Sequence, residues 1–224
     1  MKLVSHRGGR GFGVDNTLDA MELAAAAGVR RLETDVRQTS DGQPVICHDA
    51  GIWGSAIART TADELRAEAP ERPLLSEVLD SLAGWVQLNL EIKAATAATV
   101  GEMLEEYGVA TGTVVTSFHR NILEDMHASH PQVRTGLLYR MAMGEHRRLE
   151  AALAAGASLI APHFSSIDRR LVEAAHSRDM EVYAWTVNRE GDLEQLLEWE
   201  VDAVITDRYL DMKAYLEAQD VPVT

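Results

Sequence analysis

Two histidines and three carboxylates, each set near the end of a short apolar run, are the residues of this chain best suited to chemistry. His6 closes Met1-Lys2-Leu3-Val4-Ser5-His6, and His48 closes Pro44-Val45-Ile46-Cys47-His48. Glu33 and Asp35 lie two apart in Leu32-Glu33-Thr34-Asp35-Val36, and Glu91 and Lys93 lie two apart in Leu88-Asn89-Leu90-Glu91-Ile92-Lys93. Extended backbone alternates its side chains between two faces, so Glu33 and Asp35 are expected to point one way, as are Asn89, Glu91 and Lys93. Leu32, Val36, Leu88, Leu90 and Ile92 are the apolar residues that would face a core. Carboxylates on the interior side of a strand are costly unless a cation or hydrogen-bond donors compensate them. Three carboxylates with no cysteine ligand suit a hard divalent cation, Mg²⁺ or Ca²⁺. Arg7 and Lys93 could hold an anionic oxygen against that cation, while two histidines exchange protons, a contribution worth roughly 10²–10⁴ in rate. Together these parts describe phosphodiester cleavage. Taken singly, each has a structural alternative: a strand-end histidine that only hydrogen-bonds, a salt-bridged Glu-x-Asp, a lysine that neutralises Glu91. The joint arrangement is harder to explain that way.

The elements that must position these residues follow a repeating pattern, a short apolar strand and then an amphipathic Ala/Leu/Glu-rich segment. Strands are expected near 2–6, 29–36, 86–92, 113–117, 133–138, 157–161, 180–186 and 202–206, with helices near 17–27, 96–107, 119–129, 145–155, 168–178, 190–198 and 208–219. Such alternation implies βαβ units and a parallel sheet. Eight strand–helix units point to an α/β fold of the closed (β/α)₈ TIM-barrel type, with 1–224 as a single domain. The rhythm breaks once, after the second strand. Asp41-Gly42 is a turn signal that would pair 31–37 with an added strand at 44–48 as a hairpin. A loop at 50–60 and helical pieces near 61–67 and 75–83 then lead back to the third strand.

Composition narrows the partners. The 224 residues carry 46% hydrophobic and 25% charged side chains, the balance of a globular protein. A net charge of −14 offers no basic stripe for nucleic acid or for an anionic membrane surface. No apolar run is long enough to insert in a membrane, and the first residues do not read as a leader, so a cytoplasmic location is expected. The single cysteine, Cys47, falls on the opposite strand face from His48 and reads as a packing residue rather than a nucleophile. Oligomeric state is not legible.

These residues resemble the glycerophosphodiester phosphodiesterase family. Its His-Arg-Gly, Pro-Glu-Asn-Thr, Ile-Glu-x-Asp-Val and Asp-Gly-x-x-Val-x-x-His-Asp signatures have counterparts here. They are His6-Arg7-Gly8, Val14-Asp15-Asn16-Thr17, Leu32-Glu33-Thr34-Asp35-Val36 and Asp41-Gly42-Gln43-Pro44-Val45-Ile46-Cys47-His48-Asp49. Leu74–Leu79, Asn89–Lys93, Ser117-Phe118, Trp185–Asn188 and Ile205–Asp207 look like later landmarks in the family's order. The resemblance implies a TIM barrel that hydrolyses glycerophosphodiesters to an alcohol and glycerol 3-phosphate. It further implies His6 and His48 as general acid and base, Arg7 and Lys93 as phosphate contacts, Glu33, Asp35 and Glu91 as metal ligands, and Trp185 at the alcohol end of the pocket. Asn16 and Asp207 read as loop-holding residues. Two departures stand out: Val14-Asp15 replaces Pro-Glu, and the family's insertion after His-Asp is cut down to 50–73, which leaves substrate choice open. A lysophospholipase-D-like enzyme would use the same scaffold, and a catalytically silent phosphate-binding barrel is the alternative outside enzymology. Ile52, Trp53 and Ile57 are the apolar residues that the shortened loop offers a lipid.

Overall fold

The computed structural model describes residues 1–140 and 145–223. Its strands are β1 (Lys2–Ser5), β2 (Arg31–Gln38), β3 (Pro44–Ile46), β4 (Gly51–Ile52), β5 (Ser55–Ala56), β6 (Gln87–Ala94), β7 (Val114–Ser117), β8 (Arg134–Tyr139), β9 (Leu159–Pro162), β10 (Glu181–Ala184) and β11 (Ala203–Thr206). Its helices are α1 (Leu18–Ala26), α2 (Ala62–Glu68), α3 (Leu75–Leu82), α4 (Ala97–Glu106), α5 (Arg120–Ser129), α6 (Glu145–Ala154), α7 (Arg169–His176), α8 (Glu190–Glu198) and α9 (Tyr209–Ala218). Eight strands pair in parallel in the order β1-β11-β10-β9-β8-β7-β6-β2, and Ser5 pairing with Leu32 closes the ring between β1 and β2. The expected (β/α)₈ barrel is therefore the fold, with strand ends within two residues of expectation.

Period-2 alternation divides each strand between two cores. Leu3, Leu32, Val36, Leu88, Leu90, Ile92, Val115 and Leu137 point outward and are buried against the helical ring. Val4, Val114, Leu138, Leu159, Ala161, Tyr183, Ala203 and Ile205 fill the barrel lumen. The lumen is thus a packed core whose polar residues are pushed to its two mouths. Helix starts are set by local chemistry: Thr17 caps α1 through Ala20 N, Asp168 caps α7 through Leu171 N at 2.8 Å, and Thr61 and Glu64 form a reciprocal capping box on α2.

The expected hairpin forms. β2 and β3 pair antiparallel, Val36 with Ile46 and Gln38 with Pro44, around a turn in which Gly42 has φ +86°. β3 ends at Ile46, short of the expected His48; one further backbone bond, from the Cys47 N–H to the Asp35 carbonyl at 2.9 Å, follows it, and the His48 carbonyl accepts from the Arg37 guanidinium (3.1 and 2.9 Å). The shortened insertion builds a small core of its own from Val45, Cys47, Ile57, Leu65 and Ala69. Ile57, expected as an exposed apolar loop residue, is 1% exposed in that core, whereas Trp53 is 83% exposed. Among the described residues no helix is long and apolar enough to cross a membrane.

Candidate active site

The C-terminal mouth of the barrel gathers the acidic residues. Asp35 and Glu91 are register partners on β2 and β6, and Glu33 sits one inward-facing step below Asp35. One carboxylate oxygen from each of the three lies within 4.8 Å of the others. Glu33 and Asp35 are buried, at 4% and 1% exposure. Burial, reinforced by the Asp35 charge, pushes the Glu33 carboxyl up to about 8. Burial also raises Glu91, against the opposing pull of Lys93. Lys93 offsets part of this charge, its Nζ lying 2.7 Å from Glu91 Oε1 and 3.1 Å from Asp35 Oδ1. Burial opposes the Lys93 charge, but Asp35 and Glu91 outweigh it and raise its pKa. Three carboxyl groups around one ammonium in a desolvated place are costly to ionise together, and a bound cation would relieve that cost. This donor set, all oxygen and deeply set, fits a hard divalent cation.

Asp35 is held from its other side. Its Oδ2 accepts from Asn16 Nδ2 at 2.8 Å, and Asn16 Oδ1 accepts from Thr34 Oγ1 at 2.7 Å. Asn16 therefore does what the sequence suggested, tying the loop before α1 to β2. That loop is tightly drawn: Arg7 and Gly8 both have positive φ, +49° and +63°. A Cβ on Gly8 would lie 2.5 Å from the Met21 side chain, which is fully buried. The tight path lets the Arg7 backbone N–H donate to Glu33 Oε2 at 2.9 Å. The Arg7 side chain reaches Asp15 Oδ2 at 3.1 Å, so the aspartate that stands where the family pattern has glutamate still meets this arginine. Arg7 Nε is buried without a partner, a donor left over for an anion.

His6 continues the inward phase of β1, two residues above Val4. Its Nδ1 lies 2.7 Å from Asp207 Oδ1, and Nε2 lies 3.8 Å from Glu33 Oε2. A carboxylate only accepts, so Nδ1 carries the hydrogen and Nε2 faces the site. Burial disfavours protonation of His6, but Asp207 and Glu33 outweigh it and raise its pKa above the usual 6.5. Asp207 is anchored in turn: Oδ2 accepts from Asn188 Nδ2 at 2.7 Å, and Asn188 Oδ1 accepts from the Asp207 N–H at 2.9 Å. Burial resists the charge on Asp207, but the hydrogen bonds from His6 and Asn188 prevail and hold its carboxyl near 2. Asp207 thus does more than hold its loop. The signal was present in its phase, since Asp207 continues, one residue past β11, the inward alternation of Ala203 and Ile205.

His48 stands at the rim. Its Nδ1 lies 2.8 Å from Asp49 Oδ1, the hydrogen bond that lowers the Asp49 pKa, and it stands near enough to Glu91 to influence that carboxyl. Trp185 lines one small pocket together with His6, Glu33, Glu91, Thr116, Leu138 and Ile205. All eight expected site residues therefore belong to this mouth, six around the carboxylates, with His48 and Trp185 on flanking walls. Cys47 is buried in the insertion core, as a packing residue should be. Larger grooves, of about 520 Å³ beside α1 and 480 Å³ at the opposite end beside Trp85, contain no histidine.

The profile of the glycerophosphoryl diester phosphodiesterase family matches residues 6–210. The chain belongs to that family. It is 28% identical to a glycerophosphodiester phosphodiesterase of Caldanaerobacter subterraneus subsp. tengcongensis, over 92% of this chain and 93% of that one. A solved structure from Silicibacter pomeroyi that bears the same family's name superposes with a TM-score of 0.91 at 26% identity, covering 100% and 95% of the two chains. An Oleispira antarctica phosphodiesterase, solved with the product sn-glycerol-3-phosphate, has the same fold: TM-score 0.86 at 24% identity, covering 97% of both chains.

Proposed function

We propose that this chain, acting as one catalytic unit, hydrolyses glycerophosphodiesters to an alcohol and glycerol 3-phosphate. The observation that carries the reading is the convergence of Glu33, Asp35 and Glu91 beside a histidine whose Nε2 is 3.8 Å from the nearest carboxylate. Glu33, Asp35 and Glu91 would hold a divalent cation, Mg²⁺ or Ca²⁺, which supplies Lewis-acid stabilisation of charge on the phosphate oxygens. Arg7 and Lys93 orient the phosphate from the protein side and offset the charge that develops in the transition state. His6 and His48 divide the proton transfers: one takes the proton of the nucleophile, either water directly or the neighbouring glycerol hydroxyl, whose cyclic phosphate a water then opens, and the other delivers a proton to the departing alkoxide. Asp207 and Asp49 each occupy the Nδ1 side of one histidine, leaving Nε2 for this exchange.

The test is alcohol release from a panel of glycerophosphodiesters with Mg²⁺, with Ca²⁺ and with chelator. Turnover should require the cation and vanish in Glu33→Ala. His6→Ala and His48→Ala should each lose roughly 10²-fold or more in kcat while remaining folded by circular dichroism. Metal-independent turnover, or an active histidine variant, would overturn the assignment.

A further inference from the structure

The inward phase of every strand, followed one step past the lumen core, defines a ring of residues at the catalytic mouth. Val4 leads to His6, Thr116 to Phe118, Leu138 to Arg140, Ala161 to His163, Tyr183 to Trp185 and Ile205 to Asp207. The mechanism above uses His6 and Asp207 of this ring; of the other four, Arg140 is the one that carries a permanent charge. Its guanidinium carbon lies 5.0 Å from the centre of the Trp185 ring. Ser166 Oγ, itself buried, donates to the Arg140 carbonyl at 2.8 Å and pins the backbone where β8 ends. Trp185 cannot turn freely to meet a ligand. Its Nε1 donates to the Ala161 carbonyl at 2.7 Å, and Phe118 and His163 pack against it edge-on at 5.7 and 5.3 Å. Among the described residues no carboxylate is paired with Arg140. Burial, and then the Arg140 charge, lower the pKa of His163 and favour its neutral form, so the permanent charge at this wall is the guanidinium.

We propose that Arg140 selects the alcohol half of the substrate, favouring polyol and anionic alcohols and rejecting quaternary ammonium ones; this rests on the function proposed above. A quaternary ammonium group has no hydrogen to donate and is recognised by an open aromatic face. At this mouth the tryptophan beside the catalytic residues already carries a cation, so a second would meet like charge where it would otherwise find attraction. A guanidinium laid against an aromatic ring keeps its N–H edge free, and that fork suits hydroxyl, carboxylate or phosphate oxygens. The shortened insertion carries one aromatic residue, Trp53, which is 83% exposed, and a single ring does not make an aromatic cage.

The experiment compares kcat/KM for glycerophosphoglycerol, glycerophosphoinositol and glycerophosphocholine in the wild type, Arg140→Lys, Arg140→Ala and Arg140→Glu. The wild type should prefer the two polyol diesters by about tenfold or more. The preference should shrink in Arg140→Ala, invert in Arg140→Glu and partly survive in Arg140→Lys, with the change in KM and kcat little altered. Equal or better use of the choline diester by the wild type, or an unchanged ratio in Arg140→Glu, would overturn the proposal. Calorimetric binding of the same three intact diesters reads the same ratio independently of turnover. A protein that binds the polyol diesters selectively through Arg140 but cleaves none would refute the proposed reaction and uphold the selection.

Discussion

Asp207, 201 residues away in the chain, occupies Nδ1 of His6 and so leaves Nε2 for the proton transfer proposed above. Replacing Asp207 by asparagine preserves size but lets the amide nitrogen face Nδ1, which favours the other tautomer and withdraws the charge that stabilises imidazolium. We expect Asp207→Asn to lower kcat by about 10- to 100-fold with little change in KM, and to shift the histidine limb of the pH–rate profile to lower pH. The same carboxylate leaves a mark on stability. Its folded pKa, near 2, lies below the ordinary 3.8, so the stabilisation it provides is fully present above about pH 4 and is lost as pH falls toward 2. Urea midpoints recorded between pH 5 and 2 should therefore fall less steeply in Asp207→Asn than in the wild type. Equal slopes would show that the His6–Asp207 pair is not retained in solution.

At the scale of elements, the barrel works by giving each strand an outward face for the helices and an inward face that is apolar in the middle and polar at the ends. β8 shows how little freedom this leaves. Its inward residues are Arg134, Gly136, Leu138 and, one step beyond the strand, Arg140. Gly136 yields its place to Leu159 from β9: a Cβ there would lie 2.1 Å from Leu159 Cδ1 and 3.2 Å from Thr116 Cγ2. Leu159 is fully buried and has no free volume to retreat into. Gly136→Ala should cost about 1–3 kcal/mol, measured by denaturant unfolding, and Gly136→Ala/Leu159→Ala should recover part of the loss expected from the separate changes. Additive losses would mean that the two side chains do not compete for the same space.

For the whole molecule, the two mouths differ in sign. The end opposite the site carries Lys2 and Arg134 on Glu181, at 2.6 and 2.8 Å, a pairing that neutralises much of its own charge. The end that holds the candidate site concentrates carboxyl groups that the protein only partly offsets, within a chain of net charge −14. Folding therefore assembles a cluster that is costly to ionise, and a divalent cation that binds only the native state should stabilise it with the logarithm of its concentration above the dissociation constant. At about 100 times its dissociation constant the gain is about 2.7 kcal/mol, which corresponds to a rise in Tm of about 5–10 °C for a chain of this size. Differential scanning calorimetry with and without Mg²⁺ or Ca²⁺ checks this, and Glu91→Gln should reduce the shift. A wild-type Tm indifferent to both ions would remove the metal from the reading.

Much of this was legible in the residues alone. Alternation of short apolar runs with amphipathic segments dictated the barrel, because a parallel strand must bury both faces and the intervening helices must cover one of them. The phase of Glu33 with Asp35, and of Glu91 with Lys93, was likewise determined locally, since side chains two apart on a strand share a face whatever the rest of the chain does. Tertiary structure alone decided which strands stand side by side, and so which distant residues meet. Register between β2 and β6 brings Asp35 level with Glu91, and closure of β11 onto β1 gives His6 its aspartate. The stacking of Arg140 on Trp185 joins two strands that are not neighbours in the ring, and no local spacing encodes it. Ile57 made the same point in reverse: its exposure depended on whether the short insertion could fold over a core of its own. Backbone periodicity is a property of a few consecutive residues, whereas a site is a property of a closed surface.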